Sequence, residues 1–474
     1  MRMKRTKIVA TLGPASSSEE MIKKMYQNGL DVCRLNFSHG DYDVHLQNIQ
    51  TIRKVNKDLN ANIAILADLQ GPKLRVGVME NDGVEVNVGD RIIFTTNKCV
   101  GTKEKVYMTY QNFPNDVKPG EAILIDDGKL KVVVESSNQI DEVVCVVEHG
   151  GILKSKKGVN LPNTKVSLPS LTEKDLNDLK FILQHDVEWL ALSFVRCAQD
   201  ILELKEILAA NNSHAKVIAK IEKPEAILAI DEIIEATDAI MVARGDLGIE
   251  VPYQDVPLLQ KMMIKKCLKA SKPIIVATQM MESMIEGITP SRAEVNDVAN
   301  AVMDGADAVM LSGETSVGLH PDLVIQTMSN IASKVESFEG IYHPELDPVY
   351  KKDRYITDHV CNSTVYMAKH TGAKAIATMS YSGYTAYVLS SRRPKAYVYV
   401  FTSNRNILNT VSLIWGVKGF YYDDNTSTEK TMQDVQKILK ENGCLEKGDF
   451  FLHMVSMPID KSGKSNTVLL SEVE

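Results

Sequence analysis

Lys220 and Glu222 stand two positions apart in KVIAKIE, residues 216 to 222, and Asp246 follows in VARGDLG. Side chains two positions apart on an extended strand share a face, so this ammonium and carboxylate project together. A buried ion pair is the plain structural alternative, since such pairs are close to neutral for stability. The chemical reading makes Glu222 and Asp246 hard oxygen ligands for Mg²⁺, with Mn²⁺ able to substitute, and leaves Lys220 to meet an anion in transfer. Gly245, beside Asp246, allows a substrate close to the backbone, although a Gly-Asp pair is also an ordinary turn.

Such groups need elements to hold them. Short β-branched apolar runs recur as KIVATL (7–12), DVCRLNF (31–37), IAILADL (63–69), VEWLALSFV (187–195), KVIAKIE (216–222), AIMVARGDL (239–247), PIIVATQ (273–279) and AVMLSG (308–313), separated by amphipathic stretches. One stretch, SSSEEMIKKMYQNG, predicts a helix with Ser16 or Ser17 and Glu19 or Glu20 as a capping box and Gly29 as its stop. Eight such repeats predict a closed (β/α)8 TIM barrel, because an open sheet of eight would leave edges to cover. Catalytic groups in that fold sit at the C-terminal strand ends. Here those ends carry Arg34, Asn36, Ser38 and His39, then Asp68, Lys220 with Glu222, Arg244 with Asp246, Thr278 with Gln279, and Ser312 with Glu314. Arg34 at the end of an apolar strand suits a phosphate, whereas His39 alone reads as a hydrogen-bonded turn residue.

Residues 72 to 168 change texture: GVEVNVGDRIIFTT, EAILIDDGKLKVVVES and DEVVCVVEHGG alternate with period two and turn at Asp-Gly or Gly. They predict a small β-barrel domain inserted after strand three. After residue 344, strands near AIATMS, AYVYVFT, FFLHMVSM and TVLLSEV predict a separate α/β domain. The expected division is 1–71 with 169–344, then 72–168, then 345–474.

The 474-residue length and 44% hydrophobic content fit several packed domains. A net charge of -7 argues against nonspecific nucleic-acid binding. Seven scattered cysteines without a C-x-x-C pair fit reduced thiols in a cytoplasmic protein. The basic, then apolar N-terminus is cut short at Gly13-Pro14, so neither a signal peptide nor a membrane span is expected.

VCRLNFSHG, LADLQGPKLR, KKGVNLP, LSFVR, AKIEKPEA, IMVARGDLGIE, ATQMMESM and TPSRAEVNDVANAVMDGADAVMLSGET together resemble the pyruvate kinase family, over nearly the whole chain and in the family's order. The resemblance implies transfer of a phosphoryl group from phosphoenolpyruvate to ADP, giving pyruvate and ATP. It makes Glu222 and Asp246 the Mg²⁺ ligands and Lys220 the residue that stabilises the phosphoryl group in flight. Arg34 and Arg75 hold phosphates in that picture. Lys157 and Asn36 to His39, including Ser38, face the nucleotide, and the Gly245 amide with Thr278 holds the carboxylate and enolpyruvate. Thr278, Ser312 and Glu314 form a water-linked proton relay to the enolate. A homotetramer is the family's usual assembly.

Two regulatory features also come from the resemblance. Potassium-dependent members hold K⁺ with residues matching Asn36, Ser38, Asp68 and the Leu69 carbonyl, and carry glutamate where this chain has Lys73. Leu69, Gln70, Lys73 and Val76 instead match the potassium-independent group, so Lys73 is read as a substitute charge and K⁺ as not required. Ser380, Ser382, Gly383 and Thr385 match the loop that binds an activator's phosphate, implying a phosphorylated sugar or nucleoside monophosphate as effector. Two other readings compete: a metal-dependent barrel lyase or aldolase would not need Lys157 or Arg75, and a non-enzymatic metabolite sensor would not need Lys220, Glu222 and Asp246 together.

Overall fold

The computed structural model describes residues 4–162, 164–344, 352–424, 427–457 and 465–474. Eight parallel strands, β1 (Lys7–Thr11), β2 (Val32–Asn36), β3 (Ala64–Asp68), β4 (Trp189–Leu192), β5 (Lys216–Ile221), β6 (Ala239–Ala243), β7 (Ile274–Ala277) and β8 (Ala308–Leu311), close into a barrel in chain order. Lys7 pairs with Ala308 to seal it. All residues of β1, β3, β4, β6, β7 and β8 are buried. The half-buried exceptions are Arg34 and Asn36 in β2 and Lys216 and Lys220 in β5. Strands buried on both faces read as unbroken apolar runs, which is why the runs were visible in the sequence.

Several elements differ from expectation at their ends. The first helix, Glu19–Asn28, is capped by Ser18, whose side chain accepts from the Met21 amide; Ser16 and Ser17 lie outside it, while Gly29 does end it in the left-handed conformation. The run 239–247 leaves the sheet at Ala243, and Arg244–Glu250 forms a helix with Asp246 in its first turn. Asp246 therefore meets the positive end of a helix rather than sitting in a loop turn. The last run likewise ends at Leu311, followed by a short helix at Gly313–Ser316. The fourth ends at Leu192, where Ser193 leads into Phe194 at φ +55°.

The inserted segment carries its own apolar cluster, from Leu74 to Leu161, with its strands arranged as a six-stranded and a two-stranded sheet. Its Asp126-Asp127-Gly128 turn has positive φ throughout, the conformation for which Asp and Gly are suited. The C-terminal sheet has the order Val417–Tyr421, Tyr397–Thr402, Ala375–Met379, Phe450–Val455, Thr467–Glu472, antiparallel only in the last pair. The first of these strands was not expected, because Gly416, Lys418 and Gly419 interrupt its apolar pattern. The expected domain start at 345 falls in 345–351, outside the described residues.

This domain packs against the N-terminal end of the barrel. Leu413 joins a cluster with Trp189, Val9, Val32 and Leu66, Trp189 Nε1 donates to the Thr410 carbonyl at 3.2 Å, and the buried Arg393 pairs with Asp307 at 3.1 Å. The opposite end of the barrel is left for chemistry.

Candidate active site

At the C-terminal ends of β2, β3 and β5, four charges interlock. Asp68, 1% exposed, accepts from Arg34 Nε at 2.7 Å and lies 3.2 Å from Lys220 Nζ. Lys220 Nζ also lies 3.0 Å from Glu222 Oε1 and donates to Ser193 Oγ at 2.6 Å. Ser193 in turn donates to the Leu69 carbonyl at 2.8 Å. Glu222 Oε2 accepts from the Phe194 amide at 2.6 Å, and Arg34 donates to Thr11 Oγ1 at 2.9 Å. Arg34, Asp68, Lys220 and Glu222, named from the sequence, are thus one array.

Its electrostatics follow from burial and pairing. Burial disfavours the Lys220 ammonium, but Asp68 and Glu222 outweigh it and push its pKa up, so the cation persists at neutral pH. Burial also raises the Asp68 carboxyl, yet Lys220 and Arg34 together hold it below the usual range. Glu222 behaves differently: burial raises it, and the neighbouring Asp246 adds to that against the pull of Lys220. A carboxylate raised by burial and by a second acid is a donor that a divalent cation would bring back to its charged form. Among the described residues no cluster of three or more His, Cys, Asp or Glu could hold a metal ion. A cation between Glu222 and Asp246 would therefore take its other ligands from substrate oxygens and water, the usual habit of Mg²⁺.

A second wall comes from β6 and β7. Thr278 Oγ1 donates to the Ala277 carbonyl at 2.7 Å and accepts from the Gly245 amide at 2.8 Å. Thr278 has φ +66° and Gln279 +55°. A β-branched residue in this region stores about 1–3 kcal/mol, strain typical of functional sites. Arg244 holds the turn, donating to the Thr278 carbonyl at 2.7 Å while pairing with Asp297 at 2.7 Å. The buried Glu314 accepts from the Ser312 amide at 2.7 Å and the Met281 amide at 3.2 Å. It binds this rim together, and no hydrogen bond joins Thr278 to Ser312 or Glu314 among the described residues.

The remaining residues lie around the mouth. Asn36 Oδ1 accepts from the Ser38 amide at 3.1 Å, and the exposed His39 offers its carbonyl to His45. Arg75 Nη1 donates to the Lys156 carbonyl at 2.9 Å, and Lys157 pairs with Asp126 at 2.9 Å, both within the inserted domain. Lys73 is exposed and forms no ion pair among the described residues; a Cβ added at Gly158 would lie 3.7 Å from its Cε. That domain meets the barrel where Asn160 donates to Glu250 Oε1 at 2.8 Å, the oxygen that also takes Lys223 at 2.7 Å.

Far from this end, Ser380 and the exposed Ser382 lead to Gly383, which has φ +77° and starts the helix Tyr384–Ser391. Thr385 turns inward, its hydroxyl 3.0 Å from that of Thr378. Of the site residues, sequence reading missed the roles of Ser193, Phe194, Lys223 and Glu250. A polar Ser193 directly after four fully buried strand residues was the available signal for the first.

Comparison with known proteins gives a consistent result. The family model described as "Pyruvate kinase, barrel domain" matches residues 3–325, and "Pyruvate kinase, alpha/beta domain" matches 358–470. The chain is 40% identical over 467 residues to a pyruvate kinase of Geobacillus stearothermophilus, covering 98% of this chain and 79% of that one. It is 41% identical over 465 residues to one from Staphylococcus aureus (strain MRSA252), covering 98% and 80%. A crystal structure of a pyruvate kinase from Cryptosporidium parvum superposes with a TM-score of 0.93 at 33% identity, covering 100% of this chain and 97% of that one.

Proposed function

From the premise that this chain belongs to the pyruvate kinase family of phosphotransferases, whose members depend on a divalent metal, we propose that it works from phosphoenolpyruvate and ADP toward pyruvate and ATP. The observation that carries the reading is the array of Arg34, Asp68, Lys220 and Glu222 at the C-terminal mouth of the barrel. Phosphoryl transfer asks mainly for positioning and for positive charge around a spreading negative one. Lys220 and Arg34 supply that charge, and Asp68 fixes the direction of both.

In this reading Glu222 and Asp246 hold Mg²⁺, or Mn²⁺ in its place, and the metal when bound supplies charge neutralisation for the phosphate oxygens. Thr278 and the Gly245 amide receive the substrate carboxylate, which would compete for the hydrogen bond these two now share. Asn36, Ser38, His39, Arg75 and Lys157 receive the nucleotide, and the inserted domain acts as its lid. Thr278, Ser312 and Glu314 pass a proton toward the enolate through water. The division into 1–71 with 169–344, 72–168 and 345–474 is proposed on the separation of the apolar clusters.

The exposed Lys73, unpaired among the described residues, and the engagement of Asp68 and the Leu69 carbonyl by Arg34, Lys220 and Ser193 support activity without K⁺. The helix start after Gly383 supports an effector phosphate there. A homotetramer in the cytoplasm completes the reading on the family's pattern. No helix among the described residues is long and apolar enough to cross a membrane. The test is pyruvate formation from phosphoenolpyruvate with Mg²⁺, in the presence and absence of ADP. Pyruvate formed at the same rate without ADP would favour a lyase and overturn the proposal.

A further inference from the structure

The LSFVR segment that ends β4 supplies no group to the proposed reaction, yet it touches both members of the Lys220–Glu222 pair. Ser193 is 1% exposed. Its single hydroxyl proton is given to the Leu69 carbonyl at 2.8 Å, which leaves its lone pairs to face the Lys220 ammonium at 2.6 Å. An acceptor whose own donor is already committed cannot rotate away, so the direction from which Lys220 is held is fixed. The other two partners of Lys220, Asp68 at 3.2 Å and Glu222 at 3.0 Å, are carboxylates. Among the described residues Ser193 is the one neutral hydrogen-bond partner of Lys220, and the shortest contact.

The next residue reinforces this. Phe194 has φ +55°, a conformation costly for a bulky side chain, and its amide meets Glu222 at 2.6 Å. On the far side the turn is packed closely: a Cβ added at Gly71 would lie 2.9 Å from both Ser193 Cβ and Phe194 Cδ2. The turn after β3 and the turn after β4 therefore press together, which leaves little room for either to follow a wandering lysine.

We propose that Ser193 is a positioning residue for phosphoryl transfer, holding the Lys220 ammonium in its transfer geometry through the hydroxyl bridge to the Leu69 carbonyl without touching substrate. The proposal rests on the reading of Lys220 given above. Displacing a charge-stabilising group by about 1 Å can cost on the order of a hundredfold in rate. Because the hydroxyl acts through a group needed chiefly in the transition state, its loss belongs in kcat and not in KM.

The test compares Ser193→Ala and Ser193→Cys with wild type and with Lys220→Met. The cysteine variant refills the buried space with a poor hydrogen-bonding group, which keeps the fold while weakening the bridge. Both serine variants are expected to lose at least about tenfold in kcat, with KM for phosphoenolpyruvate within about threefold of wild type. In the Lys220→Met background, Ser193→Cys should change the residual rate by less than about twofold, since the group it positions is gone. The proposal is overturned if Ser193→Cys keeps kcat within about threefold, if the loss falls on KM alone, or if it reduces the rate equally in both backgrounds. Failure of wild type to form pyruvate, or near-normal rates in Lys220→Met, would instead defeat the underlying reading.

Discussion

At the level of single residues, the charges of the site explain one another. Asp68 is enclosed by Arg34 and Lys220, so it serves as the fixed anion against which both cations are aimed. On the proposed reading, replacing Lys220 by Met removes charge that matters most when the phosphoryl group is in flight, while Arg34, Glu222 and Asp246 would remain to bind substrate and metal. Turnover should fall by at least ~10²-fold, with phosphoenolpyruvate affinity, read by titration calorimetry, changed only a few-fold; a variant turning over at near wild-type rate removes Lys220 from the mechanism. Lys73 is a separate case. It is exposed and unpaired among the described residues, on a flexible stem that can bring one positive charge toward the mouth. Near-full activity is expected in a bulky organic-cation buffer free of K⁺ and Na⁺, and Lys73→Glu should create a need for K⁺. Wild-type enzyme that is inactive until K⁺ is added would refute this account.

At the level of elements, strand ends and strand interiors place different demands. β6 and β8 stop at the polar rim, where the chain passes into helices at Arg244 and Gly313, whereas Arg34, Asp68 and Lys220 are held within the last residues of their strands and open onto the site. A polar residue inside a buried strand has no such exit. His453, 3% exposed in the strand Phe450–Val455, has its pKa lowered by burial to about 4. Its folded pKa lies below the unfolded value of about 6.5, so the unfolded chain binds the proton more readily. The stability tied to neutral His453 is full above about pH 6.5 and is lost as pH falls toward 4, amounting to about 2 kcal/mol by pH 5. Thermal melts at pH 7 and pH 5 should show this loss, and His453→Leu should flatten it. An equal drop in that variant would assign the acid sensitivity to other groups.

At the level of the whole molecule, the proposed effector loop and the candidate active site sit toward opposite ends of the barrel. Tyr387, on the helix that follows the loop, packs against the apolar cluster at the barrel floor, and Arg393 just beyond that helix pairs with Asp307 ahead of β8. A phosphate bound near Ser382 therefore has a packed route to the barrel strands. Ser382→Asp places negative charge where that phosphate would bind. Activation by glucose 6-phosphate or adenosine monophosphate, whichever acts on wild type, should vanish while the unstimulated rate stays the same. Undiminished activation would locate the effector elsewhere.

What the amino-acid sequence determined by itself was whatever depends on local pattern. Strands buried on both faces must be apolar throughout, so eight runs announced eight barrel strands, and period-two alternation marked the insertion. Charges at the ends of such runs are costly without partners, which made Arg34, Asp68, Lys220 and Glu222 stand out. Tertiary structure alone decided who those partners are. Ser193 reaches Lys220 across 27 positions and the Leu69 carbonyl across 124, and Asn160 reaches Glu250 across 90. No local propensity encodes such contacts, because each arises only when barrel closure brings neighbouring strand ends together or when the inserted domain folds down onto the mouth. The same holds for the contact of Thr385, a residue the sequence offered to a ligand, whose hydroxyl lies 3.0 Å from that of Thr378.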